Sequence, residues 1–175
     1  MPRNGIPAAR KRRMAAVYHE AGHVVACFLL KRRFKYATIE PDEDSLGHVL
    51  ETRLPTSFRP DIDNGLRARA VAEKRILSLF AGEAAEARWR GKHNWRGAAA
   101  DYHKVANLTS YFCGDVEEEE AYARWLALRA RNMVCSEVHW PLVEAVAGAL
   151  LERNRLAYAE ARGSSASSWQ PLSEK

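Results

Sequence analysis

A chain of 175 residues with 47% hydrophobic residues and a net charge of +5 is long enough to bury one core. Its three cysteines, Cys27, Cys113 and Cys135, sit in apolar, helix-like surroundings and read as reduced thiols, which excludes a disulfide scaffold and a Cys-based zinc site. No apolar run reaches membrane-spanning length and no signal-peptide core follows Met1, so a soluble, cytoplasmic protein without a membrane segment is expected.

Residues 1–13, "MPRNGIPAARKRR", contain Pro and Gly, carry the basic run Arg10 to Arg13 and read as a flexible arm. From Met14 to Leu30 the apolar residues recur at helical spacing with Gly22 as the interior breaker, predicting a helix apolar round most of its circumference and central to the core. The alternating segments "FKYATIEP" and "LGHVLETRL", joined by the acidic "PDEDS", predict a small strand pair. After the loop "LPTSFRPDIDNG", a helical pattern runs from Leu66 to Gly91, where Gly82 marks a close helix contact or a break. The loop "KHNWRG" leads to "AAADYHKVANLTSYFCG", predicted helical until Gly114. Asp115 is expected to cap the next helix, with Glu117 to Glu120 at the positive end of its dipole. Pro141 is expected to open a last helix that continues to Arg162. The Ser-rich residues 163–175 read as a disordered tail. The working domain is therefore 14–162, mainly α, with a small β-hairpin or sheet beside the first helix.

His19 and His23 stand four residues apart on that first helix, so both imidazoles leave one face and can share one ion. Glu20 lies about 100° round the helix from His19, where it can reach an attacking water without ligating the ion. This is an H-E-x-x-H arrangement. Such an ion makes water acidic and polarises a carbonyl, while the glutamate takes the water's proton and passes it to the leaving amine. The plain alternative is a set of hydrogen-bonded core or capping residues. Two imidazoles and a carboxylate on a core helix are costly unless bonded or metal-bound, which favours the metal. Zinc needs a third protein ligand and an open position. The extension H-E-x-x-H-x-x-G-x-x-H would need Gly at 26 and His or Asp at 29, where the chain has Ala26 and Leu29. Spacing leaves Glu83, Glu86, His93, Asp101 and His103 open as the third ligand.

The segments "AVYHEAGHVVACFLL", the strand pair with "LGHVL", "LSLFAGEAAEARWRG", "GAAADYHKVANL" and "VEAVAGALLERNRL" occur in the order seen in the protease domain of FtsH-type ATP-dependent zinc metalloproteases. The chain resembles that family from about Met14 to Leu156. The resemblance implies a helical, zincin-like metalloprotease domain with Zn2+ as cofactor and a polypeptide as substrate. It matches Gly97 to Asp101 to the family's G-A-x-x-D segment and so selects Asp101 as third ligand beside His19 and His23, with Glu20 as general base. It also implies that Glu86 braces the metal site from behind. His103, two positions beyond Asp101, points to nearly the opposite helix face and reads as non-ligating. In the family an exposed edge strand accepts the substrate as an added strand. That implies a substrate-lining role for Gly47, His48 and Val49, with an ordinary solvent-edged strand as the alternative.

FtsH-type enzymes carry an ATPase module and usually membrane segments before the protease domain. No G-x-x-x-x-G-K-[ST] occurs in these residues, so the expected endopeptidase acts on peptides or unfolded segments, or relies on a separate ATPase or adaptor. Competing expectations are a regulatory protease that cuts one partner, such as a repressor, and a non-catalytic adaptor module held together by zinc. In the regulatory reading the basic arm helps locate DNA-associated substrates. Nucleic acid is not an expected partner apart from that arm, because the remaining charges are mixed. Other divalent ions also suit a His/His/Asp set.

Overall fold

The computed structural model describes residues 7–41, 46–95 and 97–166. Residues 1–6 of the expected arm, residues 42–45 of the expected acidic turn "PDEDS" and the tail beyond 166 lie outside the described residues. In chain order the elements are α1 (Ala8–Leu29), β1 (Phe34–Thr38), β2 (His48–Glu51), α2 (Leu66–Arg90), α3 (Ala99–Thr109), α4 (Val116–Val134), α5 (Trp140–Arg153), β3 (Arg155–Ala157) and α6 (Tyr158–Ala166). The fold is mainly α with a small antiparallel sheet, as the periodicity indicates. No helix of the described residues is long and apolar enough to cross a membrane.

Helix α1 is the centre of the molecule because its apolar residues cover most of its circumference. Val17, Ala21, Val24, Val25 and Cys27 are fully buried against the alanines of α2 and against Val143, Val146 and Leu150 of α5. The α1–α2 crossing is a small-residue contact. A Cβ at Gly22 would fall 2.3 Å from the carbonyl oxygen of Ala81 and 2.8 Å from Ala85 Cβ, so the two backbones approach as closely as they do only because Gly22 has no side chain. A second apolar cluster, built from Ile76, Leu79 and Phe80 of α2, Val105 of α3 and Leu126 and Ala130 of α4, fixes α3 and α4 on the other side of α2.

The sheet has the order β2-β1-β3. In β1, Thr38 pairs with His48 on one side and with Arg155 on the other, leaving β2 at an edge. The predicted hairpin is present, and the third strand is an addition to it. β3 also corrects the expectation of one unbroken helix from Pro141 to Arg162. Asn154 takes the left-handed conformation (φ 60°) and ends α5, its N–H bonding to the carbonyl of Leu150. Leu156 is then fully buried in the core. Pairing with β1 and burial of Leu156 outweigh the helical pattern of "LERNRLAYAEAR", which satisfies either conformation locally.

Other boundaries shift for similar reasons. α3 stops at Thr109, not Gly114, and a turn from Thr109 to Phe112 places the Phe112 ring in the interior. α1 begins at Ala8, so Arg10 to Arg13, expected in the arm, take helical form in its first turns. Residues 163–166, expected in the tail, belong to α6. Asp115 caps α4, its Oδ1 accepting from the N–H of Glu118 at 2.8 Å. Cys27, Cys113 and Cys135 are all free thiols.

Candidate metal centre

His19, Glu20 and His23 are buried on α1, with 8%, 4% and 6% of their surfaces exposed. Bare ionisable groups at that depth are costly unless each finds a partner. Asp101, in the first turn of α3, supplies one: its Oδ2 lies 3.3 Å from His19 Nε2 and 3.2 Å from His23 Nε2. One ligand atom from each of the three residues lies within 4.8 Å of the others, a spacing that one ion can bridge.

The far nitrogen of each imidazole is also held. His23 Nδ1 donates to the carbonyl oxygen of Ser78 at 2.7 Å, and His19 Nδ1 lies 3.2 Å from Glu86 Oε2. A carbonyl can only accept, so the proton of a neutral His23 sits on Nδ1 and the lone pair of Nε2 faces Asp101. Glu86 orients His19 in the same sense and is itself gripped by Arg90 at 2.7 Å and by Asn94 at 2.8 Å. Outer partners of this kind set ring orientation and tautomer in histidine metal sites. Glu86→Ala is therefore expected to lower metal affinity about 10–100-fold with α-helical content retained, as read by competition with a chromophoric chelator.

Gly82 completes the enclosure. A Cβ there would lie 2.4 Å from His23 Nε2 and 2.9 Å from His19 Nε2. The residue thus marks a close contact and α2 runs through it unbroken. The space in front of the two nitrogens exists because this position has no side chain.

The electrostatics follow from burial and charge together. Burial pulls the proton affinity of His19 down, but the hydrogen bonds that its ring donates to the Asp101 and Glu86 carboxylates more than offset it and raise the pKa to about 10. His23 is raised in the same way, burial opposing and the Asp101 charge prevailing. Burial pushes the Asp101 carboxyl up, yet His23 and His19 hold it far below the usual carboxylate range. A dication and protons therefore compete for the same nitrogens. Burial pushes Glu20 up, partly countered by the two histidines. Its Oε2 is buried without a hydrogen-bond partner among the described residues, an unusual state for a carboxylate oxygen that leaves it able to accept one. Two imidazoles, one carboxylate and a neighbouring unligated glutamate fit zinc with three protein ligands and an open position.

The group opens into a cleft of about 960 Å³, and Gly47, His48 and Val49 contribute to its lining. A Cβ at Gly47 would meet Thr38 O at 2.7 Å and Glu20 Cγ at 3.2 Å, so glycine lets the start of β2 come down onto Glu20. The other third-ligand candidates lie elsewhere. Glu83 and His93 bond to each other, Oε1 to Nδ1 at 2.5 Å. His103 is exposed on α3 and outside the converging group.

Several residues that shape the site carry no motif. Ser78 acts through its backbone, and Asn94 lies in a loop. Glu51, at the end of β2, accepts from Arg32 Nη2 at 2.5 Å and from Ser78 Oγ at 3.1 Å, and it pairs with Arg75. Burial pushes its carboxyl up, but Arg75 and Arg32 hold it below the ordinary glutamate value. This ion group ties the edge strand to the stretch of α2 that orients His23.

No family model matches the chain. It is 33% identical over 181 aligned positions to a protein of Symbiobacterium thermophilum, ATP-dependent zinc metalloprotease FtsH 1. The alignment covers 89% of this chain, which spans 29% of the length of that relative. The similarity supports kinship with an FtsH-related family of metallopeptidases.

Proposed function

We propose that the chain is a zinc-dependent endopeptidase that hydrolyses peptide bonds in unfolded or flexible polypeptides. The observation that carries this reading is the buried, unpartnered carboxylate oxygen of Glu20 beside the converging His19, His23 and Asp101. His19, His23 and Asp101 would hold the ion, which when bound supplies Lewis acidity towards a carbonyl and makes water a nucleophile near neutral pH.

The remaining work belongs to the chain's own residues. Glu20 accepts the proton of the attacking water and returns it to the amine nitrogen as the C–N bond breaks, which leaves Glu20 ionised for the next cycle. Its raised proton affinity suits both transfers. Ser78 and Glu86 keep the ring nitrogens aimed while this happens. The outer edge of β2, from Gly47 to Val49, receives substrate backbone as an added strand, a mode that reads main chain more than side chains. Unfolding of compact substrates, where needed, falls to a separate ATPase or adaptor.

The test is cleavage of a fluorescein-labelled, permanently unfolded polypeptide by the purified chain without ATP. Release of fragments in the presence of zinc, its loss on treatment with a chelator and its return when zinc is added back are expected. Absence of cleavage by chain with zinc bound would overturn the reading of a peptidase that acts on its own.

A further inference from the structure

We infer that Arg12 makes this cleft selective for polypeptides with an acidic residue about three positions from the bond to be cut, an inference that rests on the peptidase reading above. One face of α1 forms a wall of the cleft: Arg12, Ala15, Ala16, His19, Glu20 and His23 all line it, at the spacing of a single helical stripe. Arg12 precedes His19 by two helical turns, about 10 Å along the axis at 1.5 Å per residue. An extended chain covers that distance in about three residues. Arg12 also borders, with Leu46, the neighbouring hollow at the start of β2, so a strand laid along Gly47 to Val49 passes it.

The charge inventory gives that position its meaning. The other cations of the cleft are engaged, Arg75 with Glu51, Arg90 with Glu86 and Lys104 with Asp101. Those same pairs engage the cleft's carboxylates, apart from Glu20 at its buried centre. Arg12 is exposed and pairs with no carboxylate among the described residues. Glu40 and Arg13 both border the neighbouring hollow; Arg13 is outside the lining of the cleft and donates to Asn154 Oδ1 at 2.9 Å. Among the described residues, the uncommitted carboxylate on this wall is the buried Glu20 at its centre, whereas a substrate aspartate or glutamate near the cleft mouth finds an exposed guanidinium able to grip it with two hydrogen bonds.

The experiment uses alanine- and leucine-based peptides identical except for Asp, Asn or Lys placed three residues to either side of the central bond. Binding to zinc-loaded Glu20→Gln protein, read by fluorescence anisotropy, reports selectivity without turnover, and kcat/KM with the unmutated protein reports it during turnover. A preference for Asp over Asn of about threefold to fivefold is expected at low salt, shrinking as salt rises. Placing Arg12→Glu in both backgrounds is expected to reverse the order so that Lys leads, with the change falling on Kd and KM. An Asp-to-Asn ratio that Arg12→Glu leaves unaltered overturns the inference. So does displacement of the Asp peptide by an equimolar DNA duplex, which would assign the basic helix end to nucleic acid. Selective binding that reverses in Arg12→Glu, with no hydrolysis of any peptide, would sink the peptidase reading and leave the acidic selectivity of the cleft standing.

Discussion

Replacement of Glu20 by glutamine is expected to leave zinc stoichiometry unchanged while lowering kcat/KM by about 10²–10⁴-fold, the usual weight of a positioned general base. Glu20 is outside the group of three converging donors, so the metal should not notice the change. The amide has nearly the same shape but cannot take a proton from water. The variant also has a sign in stability that separates chemistry from damage. Burial raises the Glu20 pKa, so folding favours its neutral form, and the ionised carboxylate costs stability at any pH above its unfolded value. A neutral side chain removes that cost. The metal-free variant is therefore expected to melt at or above the temperature of the unmutated chain at neutral pH, with the difference vanishing as the pH falls below the ordinary glutamate range. Metal content by mass spectrometry, peptide hydrolysis and thermal melting together check the prediction. A fully active glutamine variant would remove Glu20 from the mechanism.

Gly82→Ala tests the metal centre from the opposite direction. In an ordinary helix interior this change stabilises by about 0.5–1 kcal/mol, because alanine loses less backbone freedom on folding. Here the new methyl would stand 2.4 Å from His23 Nε2, 2.6 Å from His23 Cε1 and 2.9 Å from His19 Nε2. Those atoms must move, and rotation of either ring breaks its contact with Asp101 and the bond that holds its Nδ1. Metal affinity is expected to fall by at least the 10–100-fold typical of losing an outer hydrogen-bond partner, and hydrolysis with it, while circular dichroism still reports a helical protein. Competition with a chelator provides the affinity and far-ultraviolet dichroism the control. Zinc bound as tightly as in the unmutated chain would mean that the two imidazoles do not meet in front of α2.

Several features were legible in the sequence because they depend on contacts within one or two helical turns. The i, i+4 spacing of His19 and His23 places both rings on one face whatever surrounds them, and an apolar helix round them announces a buried polar group that needs a reason. The cap at Asp115 is equally local, since it concerns an N–H three residues away. The resemblance to FtsH-type proteases pointed to Asp101, but spacing alone left Glu83, Glu86, His93 and His103 standing beside it.

Tertiary structure decided among geometries that local spacing treats alike. Crossing of α2 over α1 through Gly22 brings Glu86 to one side of His19, while the second apolar cluster sets α3 so that Asp101 meets the other. The same packing leaves Glu83 to pair with His93. Gly82 could be noticed as a breaker in a helical pattern, yet its contact with two imidazoles belongs to the crossing alone. Glu51 carries no signal within its own strand, and its tie to α2 comes from Arg32 and Arg75, which close on it in the fold. Residues 154–157 fit a helix by pattern and become a turn and strand because β1 offers hydrogen bonds and the core accepts Leu156. What the sequence by itself determined is the chemistry present on each helix face, because side-chain direction follows from the local repeat. Which faces meet was decided by the fold, through small residues that allow close approach and apolar residues that reward it.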